Sequence, residues 1–144
     1  MKFAWRAEMN IDGNILDKDH RAQHDLIRRF VNLPTDDLWR DDAMKFLMEL
    51  RAVSERHFLH EEMIMDRIRY PQLSEHRAQH KRLIESLDDI IGQMDSAGPG
   101  SPFTFGYVKN KSDELLAFWF LDHFVKADLR IKPFLEKAKA MAKA

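Results

Sequence analysis

The chain has no cysteine among its 144 residues. Disulfides, thiolate-held zinc, iron–sulfur clusters and cysteine nucleophiles are therefore excluded. Glycine and proline are scarce, at five each, so little of the chain can be loop. No apolar run approaches the length of a membrane span, and the opening MKFAWRAEMN lacks the apolar centre of a secretory signal. Charge of either sign is not in excess: 23 basic and 24 acidic residues give a formal net charge of −1. That leaves no basic stripe for nucleic acid and no polybasic patch for anionic lipid. These absences lead to an expectation of a cytoplasmic, single-domain protein over residues 1–144, long enough to bury a core.

What is present is helical periodicity. The segment SAGPGSPFTFG at 96–106 is the clearest loop, with further breaks at Asn32-Leu33-Pro34-Thr35 and Tyr70-Pro71. Between them lie four segments, at about 17–33, 38–68, 71–95 and 107–125, with apolar residues at 3.6-residue spacing. Phe46, Leu47, Leu50, Val53 and His57 illustrate this in the second. Strand-type alternation and hairpin signals are missing. Asp17 is placed to cap the first helix, and Pro71 suits the first turn of the third. Short connections predict an all-α fold, an up-down-up-down antiparallel four-helix bundle. Residues 1–16, with Phe3, Trp5, Met9 and Ile11, read as an ordered N-terminal arm. Residues 17–135 carry the bundle and the ligands, and the tail beyond Pro133 adds a short C-terminal helix.

Seven histidines stand out, and two of them fall in each copy of a repeated pentapeptide. HRAQH occurs as His20–His24 and again as His76–His80. Each helix carries polar residues where its inward stripe should be apolar: His20 and His24, His57 and Glu61, His76 and His80, His123 and Asp128. An i,i+4 pair shares one helix face, so both side chains can reach one metal or two adjacent ones. Imidazole suits iron, zinc, copper and nickel, and a carboxylate can bridge two ions. A lone histidine on an apolar face is ordinarily a satisfied core residue. Four such pairs aimed at one core need a counter-charge that a metal would supply. His60 lies off the Glu61 face and reads as solvated, and Glu62 reads as an outer-face charge. HEEMI at 60–64 lacks the second histidine of a zinc-protease motif.

These motifs resemble the bacteriohemerythrin family. His57-Phe58-x-x-Glu61-Glu62-x-x-Met65, then Tyr70-Pro71, then His76-x-x-x-His80-x-x-Leu83 is similar to its signature. Trp119-x-x-x-His123-x-x-x-x-Asp128 is similar to its last-helix motif, and Trp5 with Leu16-Asp17-x-x-His20 to its arm and first ligand. The resemblance implies two iron ions in a non-haem di-iron centre that binds O2 reversibly. It implies that His76, His80 and His123 hold one iron and His20 and His57 the other. Glu61 and Asp128 would bridge them beside a solvent-derived oxo or hydroxo group. Spacing favours His20 over His24 as the first-helix ligand. His24 departs from the family's apolar residue there, and is left as a further ligand, a pocket acid or a bystander.

Five neutral imidazoles against two carboxylates make a site poor in negative charge. Such a site is expected to bind O2 rather than drive oxygenation. Trp119 and Phe120, four and three residues before His123, are expected to form an apolar wall of the O2 pocket, with His24 in or beside it. His123 and Asp128 are five apart, about 140° around a regular helix, so a π-type bulge or a helix end must lie between them. The leading reading is an oxygen-binding protein for storage, delivery or sensing, not an enzyme. The alternatives are a di-iron redox enzyme reducing peroxide or nitric oxide, and a metal-storage bundle. A redox or effector partner would be a separate protein.

Overall fold

The computed structural model describes residues 11–98, 101 and 103–143, with the side chains of Phe120, Leu121, Val125 and Lys143 left out of account. Helix α1 spans Ile15–Val31, α2 Arg40–Arg67, α3 Leu73–Ser96 and α4 Phe105–Lys126. Short 3₁₀ turns at Asp37–Trp39 and Asp128–Arg130 lead into α2 and into a fifth helix, α5, at Ile131–Lys143. Each of the four long helices packs on the next, and α1 meets α4 to close the bundle. The expected bundle and C-terminal helix are both present. Pro133 lies in the first turn of α5, where its missing N–H costs nothing. The arm residues Phe3, Trp5 and Met9 lie outside the described residues.

One end of the bundle is apolar and the other carries the polar pairs. Leu26, Ile27 and Phe30 of α1 bury against Leu47 and Leu50 of α2, Leu87, Ile90 and Met94 of α3, and Phe105 and Val108 of α4. Because neighbouring helices are antiparallel, the other halves of all four meet at the opposite end. There a second small cluster of Met65, Tyr70 and Ile131 closes the floor.

Local chemistry sets the helix ends, and two expectations need correction. Asp17 does not cap α1. Asp12 does so, its carboxylate accepting from the backbone N–H groups of Leu16 (3.1 Å) and Asp17 (3.2 Å). The buried Asp17 carboxylate reaches back and accepts from Ile11 (2.5 Å) and Gly13 (2.6 Å), tying the incoming chain to the helix. Gly13 holds φ +64, a conformation that glycine adopts without a Cβ clash. Pro71 is not in the first turn of α3, which begins at Leu73. Arg69 takes a left-handed φ of 56, Tyr70 N–H bonds to Met65 C=O at 2.8 Å, and Arg69 N–H to Asp66 C=O at 3.2 Å. This paired pattern ends α2 with a left-handed residue. It turns the chain so that the last turns of α2 face the first turns of α3.

Candidate metal centre

The antiparallel layout brings His20 from α1, His57 and Glu61 from α2, His76 and His80 from α3, and His123 from α4 to one end of the bundle. Asp128 joins them because α4 stops. The helix ends at Lys126, Ala127 leaves helical geometry at φ −116, ψ −57, and Asp128 opens the 3₁₀ turn. The expected break between His123 and Asp128 is therefore present, in the form of a helix end. All seven residues are buried except His123, whose side chain is 10 % exposed.

Two donor groups result, each with its ligand atoms within 4.8 Å of one another: Glu61, His76, His80, His123 and Asp128, and His20, His57, Glu61 and Asp128. The carboxylates belong to both groups, and their oxygens divide between them. Asp128 Oδ1 lies 3.0 Å from His76 Nε2 and 2.9 Å from His123 Nε2, while Oδ2 lies 2.9 Å from His20 Nε2. Glu61 Oε1 faces His80 Nε2 at 3.1 Å and also contacts His76, while Oε2 faces His57 Nε2 at 3.1 Å and His20 Nε2 at 3.5 Å. Several of these buried atoms make no hydrogen bond: both nitrogens of His57, His123 Nε2 and Glu61 Oε2. His57 Nε2 and His123 Nε2 are near enough to a carboxylate oxygen to bond, yet are not aligned with it. Lone pairs that converge on a common point, rather than on each other, fit a cation. The residues present thus suit metal ions.

Protonation expresses the same demand. Burial opposes charge on His57, but Glu61, with help from Asp19, raises its pKa to about 10. Burial likewise opposes charge on His76, and bonds to Asp128 and Glu61 raise it to about 9. For His20, burial and the nearby His57 are outweighed by Asp128 and Glu61, and the shift is also upward. Burial would raise Glu61, yet His57, His20 and His76 hold it well below the ordinary range. Burial and Glu61 would raise Asp128, and His123 and His20 pull it down. Without metal, protons on imidazoles balance the two buried carboxylates; a cation would replace those protons.

Two supporting carboxylates escaped the sequence reading. Glu62 is not a free outer charge: it bonds His80 Nδ1 at 2.8 Å and accepts from Arg77 Nε at 3.2 Å. The buried Asp19 lies 2.8 Å from His60 Nδ1 and 3.6 Å from His57 Nδ1. His60 is outside both donor groups, as expected, but it is held by Asp19 rather than merely solvated. Partners on the far nitrogen fix a ligand's tautomer and ring orientation. The signal that could have found them was position: each carboxylate stands one residue before or after a ligand. His80 also stacks on Phe58, with ring centroids 4.0 Å apart and planes 7° off parallel.

A cavity of about 10 Å³ borders the centre, lined among the described residues by Gln23, Phe58, Trp119, His123, Phe124 and Asp128. Trp119 is on its wall, as expected. The Phe120 side chain lies outside the described residues. His24 is buried but does not line this cavity and joins neither donor group. Gln23 takes that place because residues three and four beyond His20 diverge by about 100° around α1. Burial, with the charge of Arg28, lowers the His24 pKa.

Comparison with known proteins bears on this arrangement. A family model described as the hemerythrin HHE cation binding domain matches residues 13–135. A bacteriohemerythrin of Clostridium acetobutylicum is 24% identical over 134 residues, covering 88% of this chain and 95% of its own. Hemerythrin subunit 2 of Golfingia vulgaris is 28% identical over 64% of this chain and 74% of its own. The hemerythrin of Phascolopsis gouldii is 27% identical, with the same coverage. Among the described residues, no helix is long and apolar enough to cross a membrane.

Proposed function

The chain belongs to the hemerythrin HHE cation-binding family, and we propose that it is a reversible O2-binding protein with a non-haem di-iron centre. The observation that carries this is the division of the carboxylate oxygens. Asp128 turns Oδ1 toward His76 and His123 and Oδ2 toward His20, while Glu61 turns Oε1 toward His76 and His80 and Oε2 toward His57 and His20. That is how two bridging ligands serve two ions. In this reading His76, His80 and His123 hold one iron, His20 and His57 the other, and a solvent-derived oxo or hydroxo bridge completes the pair. Residues 1–144 act as one domain.

Bound there, a pair of ferrous ions would supply the two electrons that reversible O2 binding needs. The rest is the work of the chain. One side offers five protein ligands and the other four, so the poorer side leaves room for an exogenous ligand. Neutral imidazoles outnumber carboxylates, which disfavours the high iron charges that oxygenation requires. Phe58, Trp119 and Phe124 give the adjoining cavity apolar walls. Glu62 holds His80 from behind, and Asp19 places its charge 3.6 Å from His57 Nδ1.

The test is to reduce the iron-loaded protein anaerobically, admit air and then remove it. A visible colour that appears and disappears over repeated cycles is expected. A single irreversible oxidation, or turnover of peroxide or nitric oxide, would replace this reading with that of a redox enzyme.

A further inference from the structure

Two larger cavities, of about 500 and 440 Å³, lie along the seam of α3 and α4, and Ser86, Ile90, Leu115 and Phe118 line both. Together they make one groove. It runs from Gln79 and Arg130 at one end to Gln93 and Lys111 at the other. At 1.5 Å per residue its α3 side is about 20 Å long. Leu83, Leu87, Leu116 and Trp119 give it apolar walls. Two further apolar side chains at its middle face water: Phe118 is 66% exposed and Leu115 42%. They stand about one turn apart on α4 and share both cavities with the small Ser86 of α3. A bulky apolar residue beside a space that it does not fill marks an interaction face.

Charge separates along the same groove. Arg82, Lys126 and Arg130 line one end, offset by Asp122, which pairs with Lys126 at 2.7 Å. Asp89 and Glu114 line the other, where the Lys111 ammonium sits over the Tyr107 ring, 5.4 Å from its centroid. A ligand of one charge sign would satisfy one end and oppose the other. A second copy satisfies both. Turned by half a rotation about an axis over Ser86 and Phe118, it lays its basic end on the acidic end of the first. Arg82 stands four residues before Ser86 and Asp89 three after it, so the two are nearly equidistant from that axis. Such self-complementarity is what a two-fold interface requires.

We propose that the α3–α4 groove is the contact face of a symmetric homodimer, in which Phe118 of each copy packs into the groove of the other and Arg82 of each pairs with Asp89 of the other. The same groove reaches His123, the one partly exposed residue of the metal cluster. Pairing therefore covers the open side of that centre. This consequence rests on the metal reading, whereas the pairing does not.

Sedimentation velocity of the full chain, from about 1 to about 500 μM, is the measurement, because interfaces of modest area extend into weak affinities. The wild type is expected to pass from monomer to dimer across this span. Phe118→Ser removes the central apolar anchor and should weaken pairing at least about tenfold. Arg82→Asp and Asp89→Arg each set like charges against each other twice in a homodimer. Each alone should stay monomeric where the wild type pairs. Mixed in equal amounts, the two variants regain opposite charges at both contacts, and the dimer should return. All three side chains are exposed, so circular dichroism should match the wild type in each variant. A wild type that is monomeric throughout would overturn the inference and leave the groove to another protein or to a small amphiphile. A dimer that Phe118→Ser leaves untouched, or that the mixture fails to restore, would overturn it too. A chain that pairs as expected but takes up no metal would instead overturn the metal reading and support the pairing.

Discussion

Replacing Glu62 by alanine isolates the contribution of a residue that touches no metal. Glu62 accepts from His80 Nδ1 at 2.8 Å, and its side chain is 23 % exposed, so solvent already weakens the bond. The His80 ring would keep its plane without Glu62, because it stacks on Phe58 at 4.0 Å. What is lost is the choice of tautomer and the added basicity of Nε2. Outer partners of this kind are worth about 10–100-fold in metal affinity, and retained stacking places Glu62→Ala at the lower end. A tenfold loss is about 1.4 kcal/mol. In a chain of this size it should lower the Tm of the iron-loaded protein by roughly 4–6 °C. The metal-free protein should change little, since it loses only one partly exposed bond. Glu62→Gln, which keeps an acceptor, should fall between. The assay is a thermal melt with and without iron, paired with competition against a chelator. Equal drops in Tm for both forms would refute the reasoning, because they would make Glu62 a fold residue and not a ligand support.

Other outcomes follow from the same geometry. Glu61→Ala or Asp128→Ala removes an acceptor shared by both donor groups, so elemental analysis should show fewer irons per chain than in the wild type; one iron per chain in the fresh wild type, or mainly zinc, would defeat the di-iron count. In the metal-free protein, protons on His57 and His76 stabilise the fold fully below an unfolded-state pKa of 6.5, and that contribution fades as pH rises toward about 9 and about 10. Metal-free Tm should therefore fall from neutral to alkaline pH, while iron affinity rises over the same interval as fewer protons compete; a metal-free Tm that rises there would count against these shifts. Lys109, fully buried with its ammonium 2.7 Å from Asp113, lies toward the apolar end of the bundle; Lys109→Met should cost roughly 1–2 kcal/mol in a denaturant melt without changing iron content.

Much of the centre was legible because ligands obey helix arithmetic. His57 with Glu61 and His76 with His80 are each one turn apart, and four such polar pairs on inward stripes together have few other meanings. The five-residue gap from His123 to Asp128 called for a π-type bulge or a helix end, and the helix end at Ala127 provides it. What the chain did not disclose depended on the rotation of one helix against its neighbours. Gln23 and His24 flank the His20 face on either side, and only the position of α2 and α4 decides which meets the cavity. Glu62 read as a surface charge and Asp19 drew no reading, yet the bundle folds both against imidazoles of the cluster or its rim. Asp12 took the capping role expected of Asp17 because the chain enters α1 through a glycine turn at Gly13, and the helix begins two residues earlier than the periodicity implied.

The ligand cluster has a consequence for a chain without cysteine. His20 and Asp128, 108 residues apart in sequence, meet at one point together with residues from three further helices. Under the proposed di-iron reading, a metal pair there would be a cross-link joining five segments of the fold at once. It would form without an oxidant, and its strength would follow iron supply and pH rather than redox poise. The resilience of the bundle against unfolding would then be tied to whether iron is at hand.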